Sequence, residues 1–426
     1  MVAFKEIEIG VLPENWQVVK LVDAVSYIDY GFSQAIPKTP VKDGVKIVST
    51  ADISKDGKLL YYKIRNIAAP TKTISRLTLQ DGDVLFNWRN TAELIGKSAV
   101  FQTQPNPHIF ASFILRIRCD EVQSHNYFFC HLMNYFRQKG VFVKLARRAV
   151  NQANYNKNEI SILPIPLPSL LEQVNIVKVL SAIQSAIENQ EKIIRTVTEL
   201  KRALMQKLFT EGINGEKGKL TEVGLVPQSW QLTEIGNLGE IITGTTPPTK
   251  NKGYYDGGGF PFISPGDLGS TKYVYRTEKE LSLEGLKVSR VLPKDAIMIV
   301  CIGSTIGKAG LTFGSKNTTN QQINTIICSK ELNPQFVYYL LNFKSDYIKS
   351  LSTPSPVPIL SKGKFQKGII PITKDKSEQD DIVEILSRLD NKLEHSEKLK
   401  SSFQELFKSM RNNLMTGQKR VKDLSL

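Results

Sequence analysis

The chain contains itself twice. Ile9-Gly10-Val11-Leu12-Pro13-Glu14-Asn15-Trp16-Gln17 and Val223-Gly224-Leu225-Val226-Pro227-Gln228-Ser229-Trp230-Gln231 share Gly, Pro, Trp and Gln at one offset of 214. Gly31 to Pro37 then faces Gly244 to Pro248, and Ile47-Val-Ser-Thr-Ala-Asp52-Ile53 faces Phe262-Ile-Ser-Pro-Gly-Asp267-Leu268. Asp83-Val-Leu-Phe86 parallels Asp295-Ala-Ile-Met298, and each is followed by Ile-Gly-Lys (95–97 and 306–308). Glu172-Gln173 and Glu378-Gln379 open the last part of each copy, which closes on Leu208-Phe209-Thr210 and Leu414-Met415-Thr416. The offset drifts between 206 and 215, as small loop insertions between shared elements would produce. Such a duplication binds both halves to one architecture.

Within one copy, the first ~160 residues alternate short β-rich runs with Gly, Asn and Pro turn signals, a mixed α/β domain of α+β class. The runs include Val45–Ser49, Asp83–Phe86 and Phe113–Ile117. Apolar residues at helical spacing predict a helix from Tyr127 to Leu145, with its partner from Pro334 to Ile348. Leu163-Pro164-Ile165-Pro166-Leu167-Pro168, echoed by Ile370-Pro371-Ile372, forces extended backbone and marks a boundary. Some 38 residues without Pro or Gly follow in each copy. Positions 180 to 208 and 386 to 414 step by 3 and 4 as a mostly apolar seam, the signature of a coiled coil. Each helix would be roughly 57 Å long. Polar breaks at Gln190, Lys201, Ser396 and Lys400 would fix register, and so narrow a stripe predicts that the two helices pack on each other rather than each lying on its own domain. The expected divisions are 1–168, a long helix over 169–212, a second domain over 213–374, and a second long helix over 375–420.

The formal charge is +15, shared as +8 on residues 1–213 and +7 on 214–426. Two basic surfaces of similar strength point to polyanions, nucleic acid before membranes. The four cysteines have no C-x-x-C spacing and the four histidines complete no ligand set, so buried thiols are expected and no metal. The charged N-terminus lacks a signal-peptide core and the longest apolar run, Ala296 to Ile302, is too short to span a bilayer, so a cytoplasmic protein is expected.

Two domains and two long helices, with Trp16 and Trp230 opening the copies and Pro-x-Pro…Glu-Gln leading into the helix, resemble the specificity subunits of type I restriction–modification systems. The resemblance spans essentially the whole chain. It matches Pro13/Trp16, Asp83 with Ile95-Gly96-Lys97, and Glu172/Gln173 in the first copy. In the second it matches Pro227/Trp230, Asp295 with Ile306-Gly307-Lys308, and Glu378/Gln379, although Ile370-Pro371-Ile372 lacks the further prolines. It implies two target recognition domains, each reading half of a split double-stranded DNA target. Two long helices would pair antiparallel, with internal pseudo-two-fold symmetry, and hold those domains apart. It also implies binding to two methyltransferase subunits, with a restriction/translocase subunit joining separately. S-adenosylmethionine would then belong to the partner, with no cofactor in this chain.

No catalytic residue is expected. The only Pro-Pro pair, Pro247-Pro248, is flanked by Thr rather than by the Asn/Asp and aromatic residue of an adenine methyltransferase loop. Gly303-Ser-Thr-Ile-Gly-Lys-Ala309 is one residue short of a phosphate loop and lacks its Ser/Thr. No Pro-Asp starts a nuclease motif of that type.

DNA contacts should come from polar, basic loops, because Lys and Arg hold phosphate while Asn, Gln and Arg read base edges. The candidates in the first copy are Asn87 and Arg89, and Arg147, Arg148, Asn151, Gln152, Asn154, Tyr155 and Lys157. In the second copy they are Asn320, Gln321, Gln322 and Asn324, since Ser352 to Pro358 is far less basic. Trp16 and Trp230 are expected in the core. Dissimilar loops predict an asymmetric target. The alternative is a coiled-coil nucleic-acid-binding adaptor outside restriction–modification.

Overall fold

The computed structural model describes residues 4–7, 10–34, 41–145, 147–149, 152–269 and 271–424, with side chains except at 4–10, 145–149 and 152–153. It divides into two compact units. Unit 1 is Met1–Glu188 with Lys400–Leu426, and unit 2 is Asn189–Leu399.

In unit 1 a four-stranded antiparallel sheet runs in the order Val25–Tyr30, Ile114–Cys119, Val84–Asn87, Ser98–Val100. A second sheet runs His108–Phe110, Val45–Val48, Arg65–Ile67, its first pair parallel. Unit 2 repeats both orders. Gly239–Thr243, Ile323–Cys328, Ile297–Val300 and Ala309–Thr312 form one sheet, extended by Tyr273–Val274. Thr318–Thr319, Phe260–Ile263 and Lys279–Leu281 form the other. The duplication read in the sequence is thus a duplication of strand order.

The unbroken apolar runs at the sheet centres follow from burial on both faces. Val84 and Phe86 join the core that includes Phe128 and Leu132, while Leu85 between them joins the core around Ile47 and Ala99. Ile297 and Ile299 alternate with Met298 and Val300 in the same way. The helix expected over 127–145 is in two pieces, Asn126–Gln138 and Val141–Leu145. Gly140, at φ 72°, supplies the left-handed residue that ends a helix. Its counterpart is likewise split, Pro334–Phe343 and Ser345–Ser350, with Pro334 at its first position and Asn333 capping Gln335 N.

The proline-containing segments are strands. Pro164–Leu167 pairs with Gln17–Lys20, and Ile369–Ile372 with Gln231–Glu234. The long helices then run Leu170–Glu211 and Lys376–Met415. The second stops five residues before the expected 420, because Gly417 at φ 63° turns the chain, as Gly212 at φ 68° does after the first.

Every seam position from 180 to 208 and from 386 to 414 is buried or half-buried. In unit 1, Leu180 and Ile187 share a core with Phe407, Met410 and Leu414. In unit 2, Leu208 shares one with Leu386. Within each unit, therefore, one long helix begins beside the end of the other, so they run antiparallel and touch. The first long helix contains an 18-residue window apolar enough by composition to cross a membrane. Its Ile176, Val177, Val179, Leu180 and Ile187 are buried in the unit 1 core.

Matched anchors tie helix to domain. Trp16 Nε1 donates to Glu172 (3.2 Å) and Trp230 Nε1 to Glu378 (3.1 Å). Gln173 accepts from His125 N and donates to Pro168 O; Gln379 accepts from Asn333 N and donates to Thr373 O. Both tryptophans are in the core, at 1% and 0% exposure. In unit 1 the Arg420 guanidinium, just past the second long helix, grips Glu172; in unit 2 Ile213 N, just past the first, donates to Glu378.

The seam is not symmetric. Lys201 reaches Asp390 at 2.5 Å, and the Tyr339 hydroxyl donates to the same carboxylate. Lys272, beside them, donates to Gln335 and Ser387, and burial lowers its pKa while Asp390 opposes the shift. In unit 1 the corresponding contact is His131 edge-on to Phe407, at 5.9 Å. Asp390→Ala would leave Lys201 without its ion-pair partner and Lys272 with less opposing charge, and should destabilise unit 2 by about 1–3 kcal/mol, less than a fully buried pair because water reaches part of it. A lysine whose folded pKa is depressed binds a proton more weakly folded than unfolded. Its penalty is therefore present at neutral pH and relieved as pH rises toward the unfolded lysine pKa. The variant should regain stability between pH 7 and 10 more steeply than the parent in urea unfolding. Equal pH slopes would refute this.

Candidate nucleic-acid interface

Two candidate segments far apart in sequence meet in unit 1. The hairpin Arg147–Ala149/Gln152–Asn154 pairs with Arg89–Asn90, with Arg147 opposite Asn154 and Asn154 opposite Arg89. Tyr155 N closes onto Trp88 O at 2.9 Å. Asn156 then caps the helix Lys157–Ser161 in a reciprocal box with Glu159. Arg89 lies over the Phe113 ring at 4.9 Å, and Lys157 N donates to the Tyr30 hydroxyl. Arg89, Asn154 and Lys157 are half-exposed. Arg147, Arg148 and Gln152 are placed by their backbone alone, and Asn151 lies outside the described residues.

Unit 2 builds the same frame from different residues. Ile302 bridges Ile359, Leu360 N closes onto Cys301 O (2.8 Å), and Cys301 N donates to Gln322 O as Trp88 N does to Phe113 O. Asn320 Nδ2 donates to Gln322 Oε1 and its Oδ1 accepts Gln322 N, both at 3.0 Å. Gln321 is exposed and bonded to Thr246.

Three expected contact residues are instead interior. Asn87 is 0% exposed and its amide donates to Leu94 O. Tyr155, 5% exposed, packs edge-on to Phe142. Asn324, 2% exposed, bonds Thr243 and the Cys301 thiol. Asn87 and Asn324 lie in strands and Tyr155 directly follows one, each with its side chain turned into the core. Sequence reasoning missed the exposed aromatics Tyr30 and Phe113, with Trp88 between them, and the exposed Arg290, which donates to Thr243 O. Aligning residues 111–113 with 320–322 across the repeat could have flagged Phe113.

The repeated Ile-Gly-Lys is a structural turn. Gly96 and Gly307 have φ of 84° and 91°, and a Cβ would strike Phe142 or Ser345 O. Lys97 is buried and donates to Thr50 O, whereas Lys308 is exposed. Asp83 is buried and held by both ends of the Arg118 guanidinium (2.7 and 2.9 Å), which raises the Arg118 pKa. Burial pushes the thiols of Cys119 and Cys130 up to about 12 and that of Cys301 up to about 11, so they are poor nucleophiles.

Residues 13–199 and 227–402, one segment in each copy, match the family described as Type I restriction modification DNA specificity domain. The MjaX type I specificity subunit of Methanocaldococcus jannaschii is 30% identical over 434 residues, covering 98% of this chain and 97% of that protein. The MjaVIII specificity subunit of the same organism is 25% identical over 442 residues, covering 99% and 97%. Among solved structures, the type I S subunit from M. genitalium aligns with a TM-score of 0.60 at 15% identity, covering 94% of this chain and 96% of its own. A chain from a structure of type I R-M complex assembly and conformational transition aligns at 0.54 and 17%, covering 97% and 99%. With the repeated frame and its paired helices, these matches leave no place for an adaptor outside restriction–modification: the chain belongs to the type I restriction–modification DNA specificity family, as its DNA-recognition subunit.

Proposed function

We propose that each unit reads one half of a split double-stranded DNA target, and that the two halves differ. Phosphate and base contacts come from Arg89, Asn154 and Lys157 with the Arg147–Asn154 hairpin in unit 1, and from Asn320, Gln321 and Gln322 in unit 2. The observation that carries this reading is one backbone frame, built twice, presenting a guanidinium and aromatic rings in one copy and an amide network in the other. The overall charge of +15 supports phosphate binding.

The chain supplies recognition and no catalysis. Two methyltransferase subunits bind the paired long helices and carry S-adenosylmethionine, and each flips an adenine out of the duplex to modify it. A restriction/translocase subunit joins the same cytoplasmic complex. The helix pair sets the distance between the half-sites.

Methylome sequencing of the host with and without this gene tests the reading. Loss of adenine methylation at one split, non-palindromic motif is expected. An unchanged methylome, or loss at a contiguous motif, would sink it.

A further inference from the structure

At equivalent positions before equivalent strands, unit 1 places Phe113 and unit 2 places Gln322. Phe113 is 42% exposed, high for a phenylalanine, yet its ring packs against its neighbours. Its ring stands edge-on to Trp88 at 6.1 Å, and Trp88 stands edge-on to Tyr30 at 5.5 Å. Trp88 is itself pinned, its Nε1 donating to Ser112 O at 2.7 Å and its backbone N to Phe113 O. The Arg89 guanidinium sits over the Phe113 ring, on the strand that carries the hairpin. A packed aromatic stack ending in an exposed ring and a positioned guanidinium is preorganised for a base edge. Phenylalanine contacts the thymine methyl, arginine pairs with guanine, and the amides of Asn and Gln pair with adenine.

We propose that Phe113 and Arg89 are the specificity-determining pair of unit 1, contacting a thymine methyl and a neighbouring guanine, whereas Asn320 and Gln322 give unit 2 an adenine contact at the same place in its frame. This rests on the DNA-reading function above and assigns its chemistry. The two half-sites are then read by different chemistry, apolar and cationic in one, amide in the other.

The test uses the full chain assembled with its methyltransferase partner, and duplexes carrying the motif found in the methylome. Replacing single thymines by deoxyuridine removes only the methyl. At one thymine of the unit 1 half-site this should weaken wild-type binding by roughly three- to ten-fold, and should leave Phe113→Ala unaffected. Phe113→Ala itself should bind the intact duplex roughly ten-fold or more weakly. Base changes in the other half-site should weaken both proteins by the same factor. Should Phe113→Ala fail to fold, Phe113→Leu keeps an apolar side chain without the ring and should show a smaller loss. A unit 1 half-site without thymine, or wild-type and Phe113→Ala complexes equally sensitive to deoxyuridine, would overturn the assignment while leaving DNA recognition standing. A wild-type complex indifferent to duplex sequence would remove the underlying function as well, a distinguishable result.

Discussion

Trp230→Ala is expected to destabilise unit 2 by about 3–5 kcal/mol, enough to lower its urea midpoint sharply and abolish methylation of the target. The indole is fully buried where three elements meet. Its ring stands edge-on to Phe336 of the core helix at 5.5 Å and to Phe209 at the end of the first long helix at 6.1 Å. Its Nε1 donates to Glu378 in the first turn of the second long helix. Truncation therefore opens a cavity too large to collapse and removes one of the Glu378 donors. Trp230→Phe separates the two effects: it keeps most of the ring and loses the hydrogen bond, at about 1 kcal/mol plus a smaller cavity. A urea midpoint for Trp230→Ala equal to that of the parent chain would show that this junction does not hold the unit together.

Much of this was legible in sequence because duplication makes weak signals check each other. The paired Trp, Glu-Gln and Gly positions mark the same junction twice, and the 3–4 seam survives polar residues because Gln190, Lys201 and Lys400 are half-buried and the small Ser396 is buried. The limits are physical. Gly140 inside an otherwise periodic stretch ends the helix at Gln138, since its positive φ outweighs the apolar spacing on either side. Proline at 164–168 marked extended backbone and a boundary but not its strand partner; Pro164–Leu167 pairs with Gln17–Lys20, because a two-stranded pair can spare the amide that proline lacks. At the interface, residue type gave the loops but not the facing. Asn87 and Asn324 have the chemistry of base readers and the alternation of strand residues, and alternation turned them inward. Phe113 was hidden for the opposite reason: an aromatic at the head of a β-rich run reads as core. The partnership of Lys201 with Asp390 and Tyr339 depends on helix pairing and could be anticipated only as a polar break.

On the proposed function, a duplicated reader recognises two half-sites whose spacing is set by the paired long helices. Four extra residues in an α-helix add ~6 Å and turn the chain by little more than one full turn, so the seam keeps roughly its face. Placed between Glu188 and Asn189 and between Leu399 and Lys400, the insertions fall at the boundaries of the two units and leave the contacts inside each intact. Methylome sequencing of cells expressing this variant with the methyltransferase partner is the direct measurement. Both half-sites unchanged, with the spacer between them longer by one or two base pairs, is the predicted result. The original motif with its original spacer, methylated as before, would contradict it.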